Sequence, residues 1–451
     1  VGWGMAPARS YLALSGAARL PGWASFAILR AENVSSDPKP GASSIMSPAK
    51  IPDDLVKPQG GRIVLVVLDG LGGLPHPTSG LTELEAARTP NLDALAARSS
   101  LGMLIPVAPG VTPGSGPGHL ALFGYHPMET VIGRGALSAL GVGFELRPGD
   151  LAVRLNLATL DGDGRVVDRR AGRPSDAVGQ AAVDRLREGF QEGLGLPAGG
   201  EIFVEHEKEH RAVLVLRAPG LDERLRDTDP QVEGVAPHAP EALDPAAKTA
   251  SELLIRVLTR AREVLADGDP ISGVLARGYA VHRGLPGLQE RFGLKGVAIA
   301  RYPMYRGVAR LVGMEIAGPP NSDQEAVEIL ARGLGDFDFH FLHHKAPDAR
   351  GEDGDFDAKV ASIEAADRWM EEVAALDADV LMVTGDHSTP AAMAYHSWHA
   401  VPALIRSPWA RPSAKEFGES ACRAGELGIL EARHLMSLAL AHAGRLEKFG
   451  A

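Results

Sequence analysis

Disulfide bonding, membrane insertion and nucleic-acid binding are all poorly provided for in this chain of 451 residues. It has a single cysteine, Cys422, so no internal disulfide can form, and a reducing cytoplasm suits it. No apolar run approaches the roughly 20 residues that span a bilayer. Internal repeats, heptads and long basic runs are missing too, which argues against coiled-coil and nucleic-acid roles. Positive charge is in deficit, with 46 Lys and Arg against 57 Asp and Glu and a formal net charge of −11. An anionic ligand would therefore have to be met by local clusters of arginine, not by the field of the whole molecule. The remaining composition, 45% apolar and 23% charged, is that of a globular protein whose length calls for two domains.

The most informative stretch is VLMVTGDHSTPAAMAYHSWHAVPALI, residues 380–405. Its apolar run stops at Asp386-His387, and His396 and His399 follow in the next loop. A parallel sheet presents metal ligands at its carboxyl edge in this way, and carboxylate with imidazole suits a catalytic divalent ion better than structural zinc. GRIVLVVLDGLGG (61–73) reads as a strand buried on both faces and ending at Asp69. Alone, an Asp in that place more often caps the next helix.

Two further segments match. VTPGSGPGHLALFGYHP (111–127) sets Ser115 among glycines, ahead of His119 and an apolar helix whose free N–H groups would face an anion. A Gly/Pro surface turn is the plainer alternative, and the glycines do not fit the G-x-S-x-G elbow. FDFHFLHHKAPDARGEDGDFDAKVASIEAADR (337–368) predicts a strand over 337–342 and a helix from about 356. The polar loop between them would carry His343, His344, Lys345, Asp348, Glu352 and Asp353. Asp348 and Glu352 could share a cation there, or the loop could simply be a solvated acidic one.

Taken together, the LDG strand end, TPNLDALA (89–96), the serine loop, DxxxE, GDHS and HSWHxVP resemble the alkaline phosphatase superfamily. More narrowly, they resemble its cofactor-independent (2,3-bisphosphoglycerate-independent) phosphoglycerate mutases of the archaeal type. RRAGR (169–173), DTDP (227–230), YPMYRGVARLVGM (302–314) and ESACRAGELGIL carry the likeness through residues 61–451 in the family's order. The resemblance implies an α/β fold: an alkaline-phosphatase-like core with a mostly parallel sheet flanked by helices, plus an inserted α+β domain. It also implies two divalent metal ions, Mn²⁺ or Mg²⁺, and no 2,3-bisphosphoglycerate.

By the same resemblance, Asp69, the Ser115 oxygen, Asp386 and His387 would hold one ion. Asp348, Glu352 and His396 would hold the other. His396 is preferred to His399 because superfamily relatives place this ligand five residues before a Val-Pro, here Val401-Pro402. His399, His119 and Lys345 would then stand behind the ligands or on the substrate side. The sequence departs from the family in two places. Glu352 stands where related mutases commonly have His, a change that favours Mn²⁺ or Mg²⁺. Gly116-Pro117 replaces an acidic residue after the nucleophile, leaving a metal as the main activator of Ser115.

The implied activity is interconversion of 3-phosphoglycerate and 2-phosphoglycerate through a phosphoserine at Ser115. Such a small phosphorylated substrate needs fixed positive charge. Arg169, Arg170 and Arg173 in VVDRRAGR, Arg277 at the end of ISGVLAR, and Arg306 in YPMYRG are the candidates, with Arg134 behind them. Between Asp150 and Leu285 shorter strands alternate with helices (182–192 and 244–265). This region reads as a substrate-binding domain, 150–285, inserted into a metal-binding core of 61–149 and 286–451. Closure of the cleft would exclude water, and exclusion separates a mutase from a phosphatase.

Residues 1–60, rich in Ala, Pro, Ser and Gly, are expected to form a disordered extension. An over-extended reading frame is the other expectation, since the chain opens on Val and Met46 stands ahead of the first core strand. Arg19 spoils YLALSGAARL as a signal peptide. The nearest rival function is a metal-dependent phosphatase or other phosphotransferase of the same superfamily. A phospho-ligand sensor is disfavoured because every proposed ligand position keeps a coordinating side chain. A serine hydrolase built on Ser115 and His119 lacks an orienting acid. The oligomeric state stays open.

Overall fold

The computed structural model describes residues 55–450 apart from 131 and 192; most of the expected N-terminal extension therefore lies outside the described residues. From there on the strands follow in this order. β1 (Ile63–Leu68) and β2 (Ser99–Ile105) come first. β3 (Leu151–Leu160), β4 (Val166–Asp168), β5 (Glu201–Lys208), β6 (Arg211–Arg217) and β7 (Gly273–Val281) follow. β8 (Gly296–Ile299), β9 (Glu315–Ile316), β10 (Phe339–His344), β11 (Val380–Thr384), β12 (Val401–Arg406) and β13 (Gly428–Glu431) close the series.

Eight of these strands make one sheet in the order β13-β2-β12-β11-β1-β10-β8-β9. β1 lies between β10 and β11 and runs parallel to both; β8 and β9 continue the parallel run, while β12 is antiparallel to β11 and β2. The uninterrupted apolarity of IVLVVL now has its cause. Ile63, Leu65 and Val67 enter one core, and Val64, Val66 and Leu68 enter the other, across the sheet. Helices Ser115–Leu122, Pro303–Leu311 and Leu435–His442 supply residues to the first core. Phe356–Ala375 supplies Ile363, Ala366, Trp369, Met370 and Val373 to the second. The mixed α/β fold with a mostly parallel sheet flanked by helices is thus as expected.

The strands from β3 to β7 form a second, antiparallel sheet. Alternation divides β3: Leu151, Val153, Leu155 and Leu157 pack with Val183, Leu186, Leu254 and Val257 of helices Asp176–Gly189 and Lys248–Leu265. Ala152 instead joins the core that holds Ala136 and Leu137 of helix Arg134–Gly141. Arg154 and Asn156 stand on that same side.

Some local expectations shift. The strand expected at 337–342 is β10, Phe339–His344, because Val67 and Leu68 of β1 continue the ladder opposite His343 and His344. Asp348 and Glu352 lie on a short helix, Ala346–Glu352, with Pro347 in its first turn, and not in an open loop. Arg277 stands within β7, not at its end. The helices expected at 182–192 and 244–265 run from 176 to 189 and from 248 to 265. Val56 bridges to Leu446, so residues 55–60 meet the last segment of the chain. Among the described residues no helix is long and apolar enough to cross a membrane.

Candidate metal centre

Three neighbouring strands of the large sheet deliver the chemistry at their carboxyl ends. Asp69 follows β1, Asp386 and His387 follow β11, and Asp348 sits on the helix after β10; all four are buried. Gly70 makes this convergence possible. It takes the left-handed conformation (φ +66°), and a Cβ there would lie 2.6 Å from Thr389 Oγ1 and 2.7 Å from the Asp348 backbone. Its N–H donates to Asp386 Oδ1 at 3.1 Å.

The expected ligands gather in two overlapping groups. His387 Nε2 lies 3.1 Å from Ser115 Oγ, 3.2 Å from Asp386 Oδ2 and 3.6 Å from Asp69 Oδ1. His396 Nε2 lies 3.4 Å from Asp348 Oδ1 and 3.5 Å from Glu352 Oε1, and its ring stacks on that of His387 at 3.8 Å. Ligand atoms of Asp69, Asp386 and His387, and likewise of Asp348, His387 and His396, fall within 4.8 Å of one another. His399 joins neither group; its Nδ1 meets Ser397 Oγ at 3.0 Å and its ring stacks on Trp398.

The electrostatics are those of a site that could hold a cation. Burial, then repulsion from Asp386, pushes the Asp69 carboxyl up to about 6. Asp386 Oδ2 is buried without a hydrogen-bond donor of good geometry. Lys345 places its ammonium between Asp69, 3.5 Å away, and Asp348, with which it pairs closely. Burial opposes ionisation of Asp348, but His396 and Lys345 hold its carboxyl well below the usual range. In turn Asp348 raises His396, against burial, to about 9. Burial lowers the His387 pKa, against Asp386 and Asp69, and so favours the neutral imidazole that binds a metal. Crowded buried carboxylates beside imidazole nitrogens fit hard divalent ions, whose binding would displace the proton held on His396.

Ser115 opens the helix Ser115–Leu122, directly after Gly114. His119, fully buried, directs Nδ1 to the Ser115 carbonyl oxygen at 2.8 Å and lies 3.1 Å from Asp386 Oδ2. His343 was expected only as a loop residue, yet its Nε2 meets Asp69 Oδ2 at 2.8 Å and Tyr305 stacks on its ring at 3.6 Å. Its place opposite Val67 follows from a register that the sequence does not display.

The expected arginines divide. Arg169 makes two bonds to buried Asp229, at 2.8 and 2.7 Å, and Arg277 approaches the same carboxylate at 3.3 Å. RRAGR and DTDP are thereby tied to each other. Arg170, Arg173 and Arg134 are exposed, and Arg306 donates to the Arg301 carbonyl at 2.9 Å. Two arginines not singled out from sequence share the sheet face of Arg277: Arg154 lies opposite it, and Arg211 lies opposite Asn156. The Nε atoms of Arg154 and Arg211 are buried without an acceptor. Burial pushes Arg154 down to about 10, with Arg211, Arg134 and Arg277 adding to the effect and Glu207 opposing it. Burial and the nearby Arg211 and Arg170 likewise press His210 down to about 4. A charge interrupting the apolar alternation of LAVRLNLATL was the available signal for Arg154.

A family model described as 2,3-bisphosphoglycerate-independent phosphoglycerate mutase matches residues 96–270. The chain is 48% identical over 395 residues to the probable 2,3-bisphosphoglycerate-independent phosphoglycerate mutase of Thermus thermophilus, covering 86% of this chain and 96% of that protein. It is 45% identical over 405 residues to the probable enzyme of the same description from Deinococcus radiodurans, covering 88% and 98%. Among solved structures it is similar to the PH0037 protein of Pyrococcus horikoshii (TM-score 0.74, 31% identity, 87% of this chain and 100% of that one). It is also similar to the cofactor-independent phosphoglycerate mutase of Thermoplasma acidophilum (TM-score 0.65, 29% identity, 85% and 100%).

Proposed function

Because the chain belongs to the family of 2,3-bisphosphoglycerate-independent phosphoglycerate mutases, we propose that it interconverts 3-phosphoglycerate and 2-phosphoglycerate in glycolysis and gluconeogenesis through a phosphoserine at Ser115. The observation that carries this reading is the placement of Ser115 Oγ 3.1 Å from His387 Nε2, beside two buried carboxylates. Asp69, Ser115, Asp386 and His387 would hold one Mn²⁺ or Mg²⁺; Asp348, Glu352 and His396 would hold the other. Bound there, such ions supply Lewis acidity that lowers the pKa of a serine hydroxyl and offsets charge on phosphoryl oxygens.

The chain's own groups do the rest. His119 meets the Ser115 carbonyl oxygen and so holds the helix start that bears the hydroxyl. Ser115 Oγ loses its proton and attacks phosphorus while the ester oxygen of glycerate departs and takes up a proton. The other glycerate hydroxyl then loses its proton and attacks the phosphoserine, and the departing Ser115 Oγ is reprotonated. Since the serine stores the phosphoryl group, no bisphosphoglycerate is required. Lys345 offers its ammonium to the transferring group. Arg154, Arg170, Arg211 and Arg277 would grip the glycerate carboxylate, with Arg173 and Arg306 as further contacts and Arg169 holding Asp229 in place. On this reading residues 150–285 are an inserted substrate-binding domain, and 61–149 with 286–451 form the metal-binding core. The cytoplasm is the proposed location.

The test uses protein stripped with EDTA and resupplied with Mn²⁺ or Mg²⁺, assayed for 3-phosphoglycerate isomerisation without added 2,3-bisphosphoglycerate. Isomerisation should need the ion, and Ser115→Ala should lower it by at least about 10⁴-fold. Free phosphate without isomerisation would move the protein to the phosphatase branch; an active Ser115→Ala protein would sink the phosphoserine route.

A further inference from the structure

Thr389 stands between the two ligand groups. Its side chain is fully buried, with Oγ1 2.6 Å from Asp348 Oδ1 and 3.0 Å from His387 Nδ1. A hydroxyl has one proton to give. Asp348 is an ionised carboxylate and accepts only, so the Thr389 proton goes to Asp348. Thr389 Oγ1 must then accept from His387, which places the imidazole proton on Nδ1. That leaves the lone pair on Nε2, the atom facing Ser115, Asp386 and Asp69.

The hydroxyl has little freedom to leave this position. A Cβ on Gly70 would lie 2.6 Å from Thr389 Oγ1, and one on Gly351 would lie 2.2 Å from the Thr389 carbonyl oxygen and 2.9 Å from Cγ2. Two glycines from two other segments are therefore packed onto this one residue. Asp348 belongs to one ligand group and His387 lies in both, with its Nε2 toward Ser115, Asp386 and Asp69, so a single side chain touches a ligand of each.

We propose that Thr389 is a positioning residue that couples the two ion sites, fixing the His387 tautomer on one side and the Asp348 carboxylate on the other. This rests on the two-ion reading above. Loss of the hydroxyl should weaken both sites together, although Thr389 binds neither ion. An outer hydrogen-bond partner of a ligand commonly contributes about 10- to 100-fold in metal affinity.

The experiment titrates EDTA-stripped protein with Mn²⁺ alone, following free Mn²⁺ by electron paramagnetic resonance, for the unaltered chain, Thr389→Val and Thr389→Ser. The His387 ring nitrogens are read in parallel by ¹⁵N NMR. The unaltered chain should take up two ions. Thr389→Val should bind both about 10- to 100-fold more weakly and lose the Nδ1-protonated signature of His387, while Thr389→Ser should stay within about threefold of the unaltered chain. Two ions bound by Thr389→Val with unchanged affinity, or weakening of one ion alone, would overturn the coupling and leave the two-ion reading intact. Uptake of fewer than two ions by the unaltered chain would overturn both. Failure of Thr389→Ser to restore binding would also overturn the hydroxyl's role, since the serine keeps the hydroxyl and loses only the methyl.

Discussion

Lys359 carries an ammonium group into a place without solvent. It is fully buried, and Nζ donates to the carbonyl oxygens of Gly72 at 2.9 Å and Thr389 at 2.8 Å. Gly72 belongs to the loop that follows Asp69, and Thr389 to the loop that follows His387. The ammonium thus ties together two loops that bear candidate ligands. Its counter-charge is Glu83, 4.0 Å away and equally buried. Burial lowers the Lys359 pKa, with Glu83 and Glu419 opposing that effect. Lys359→Met keeps the length of the side chain but strands two carbonyls and a carboxylate. Removing one partner of such a buried group should destabilise the fold by about 3–5 kcal/mol. Urea unfolding followed by circular dichroism measures it; a loss below about 1 kcal/mol would mean that water replaces the ammonium at little cost.

At the scale of elements, the helix Ser115–Leu122 must come unusually close to the exit of β11. A Cβ on Gly118 would lie 2.4 Å from the Asp386 carbonyl oxygen and 3.2 Å from its Cβ. Backbone cannot yield as a flexible side chain would, so Gly118→Ala should push the helix outward and carry Ser115 with it. A shift on the order of 1 Å costs about 10²-fold in rate. The expected outcome is a drop of that size in kcat with a loss of stability of about 1–3 kcal/mol, read from steady-state kinetics beside an unfolding curve. The same closeness explains what could be read from sequence. IVLVVL and VLMVT are uninterrupted apolar runs, so their polar exits at Asp69 and Asp386 stand out. Ser115 stands out among its glycines. APDARGE has no apolar period, and its short helix became visible only in three dimensions. His343 and Thr389 act through residues distant in sequence, brought near by strand register and loop packing, which no local pattern encodes.

At the scale of the whole molecule, charge is segregated. A chain of net charge −11 places Arg154 and Arg277 opposite each other on one sheet face, with Arg211 on that face too. Like charges paired across strands are destabilising unless something answers them. Asp229 answers Arg277, and Glu207 partly offsets Arg154, but the buried Nε atoms of Arg154 and Arg211 have no acceptor. On the proposed reading, the carboxylate of an anionic substrate would complete the balance on this face. Arg154→Gln removes one fixed charge and keeps a polar side chain. Its KM for 3-phosphoglycerate should rise by about 10- to 100-fold, the 1.5–3 kcal/mol of a charge-assisted hydrogen bond. A smaller fall in kcat should accompany it. On the phosphoserine reading the glycerate would have to stay while the phosphoryl group rests on Ser115, so looser binding should also raise the share of substrate released as free phosphate. Measuring isomerised product and phosphate in one reaction tests both effects. An unchanged KM would place the substrate carboxylate elsewhere, and a raised KM without extra phosphate would mean that other groups retain the glycerate during transfer.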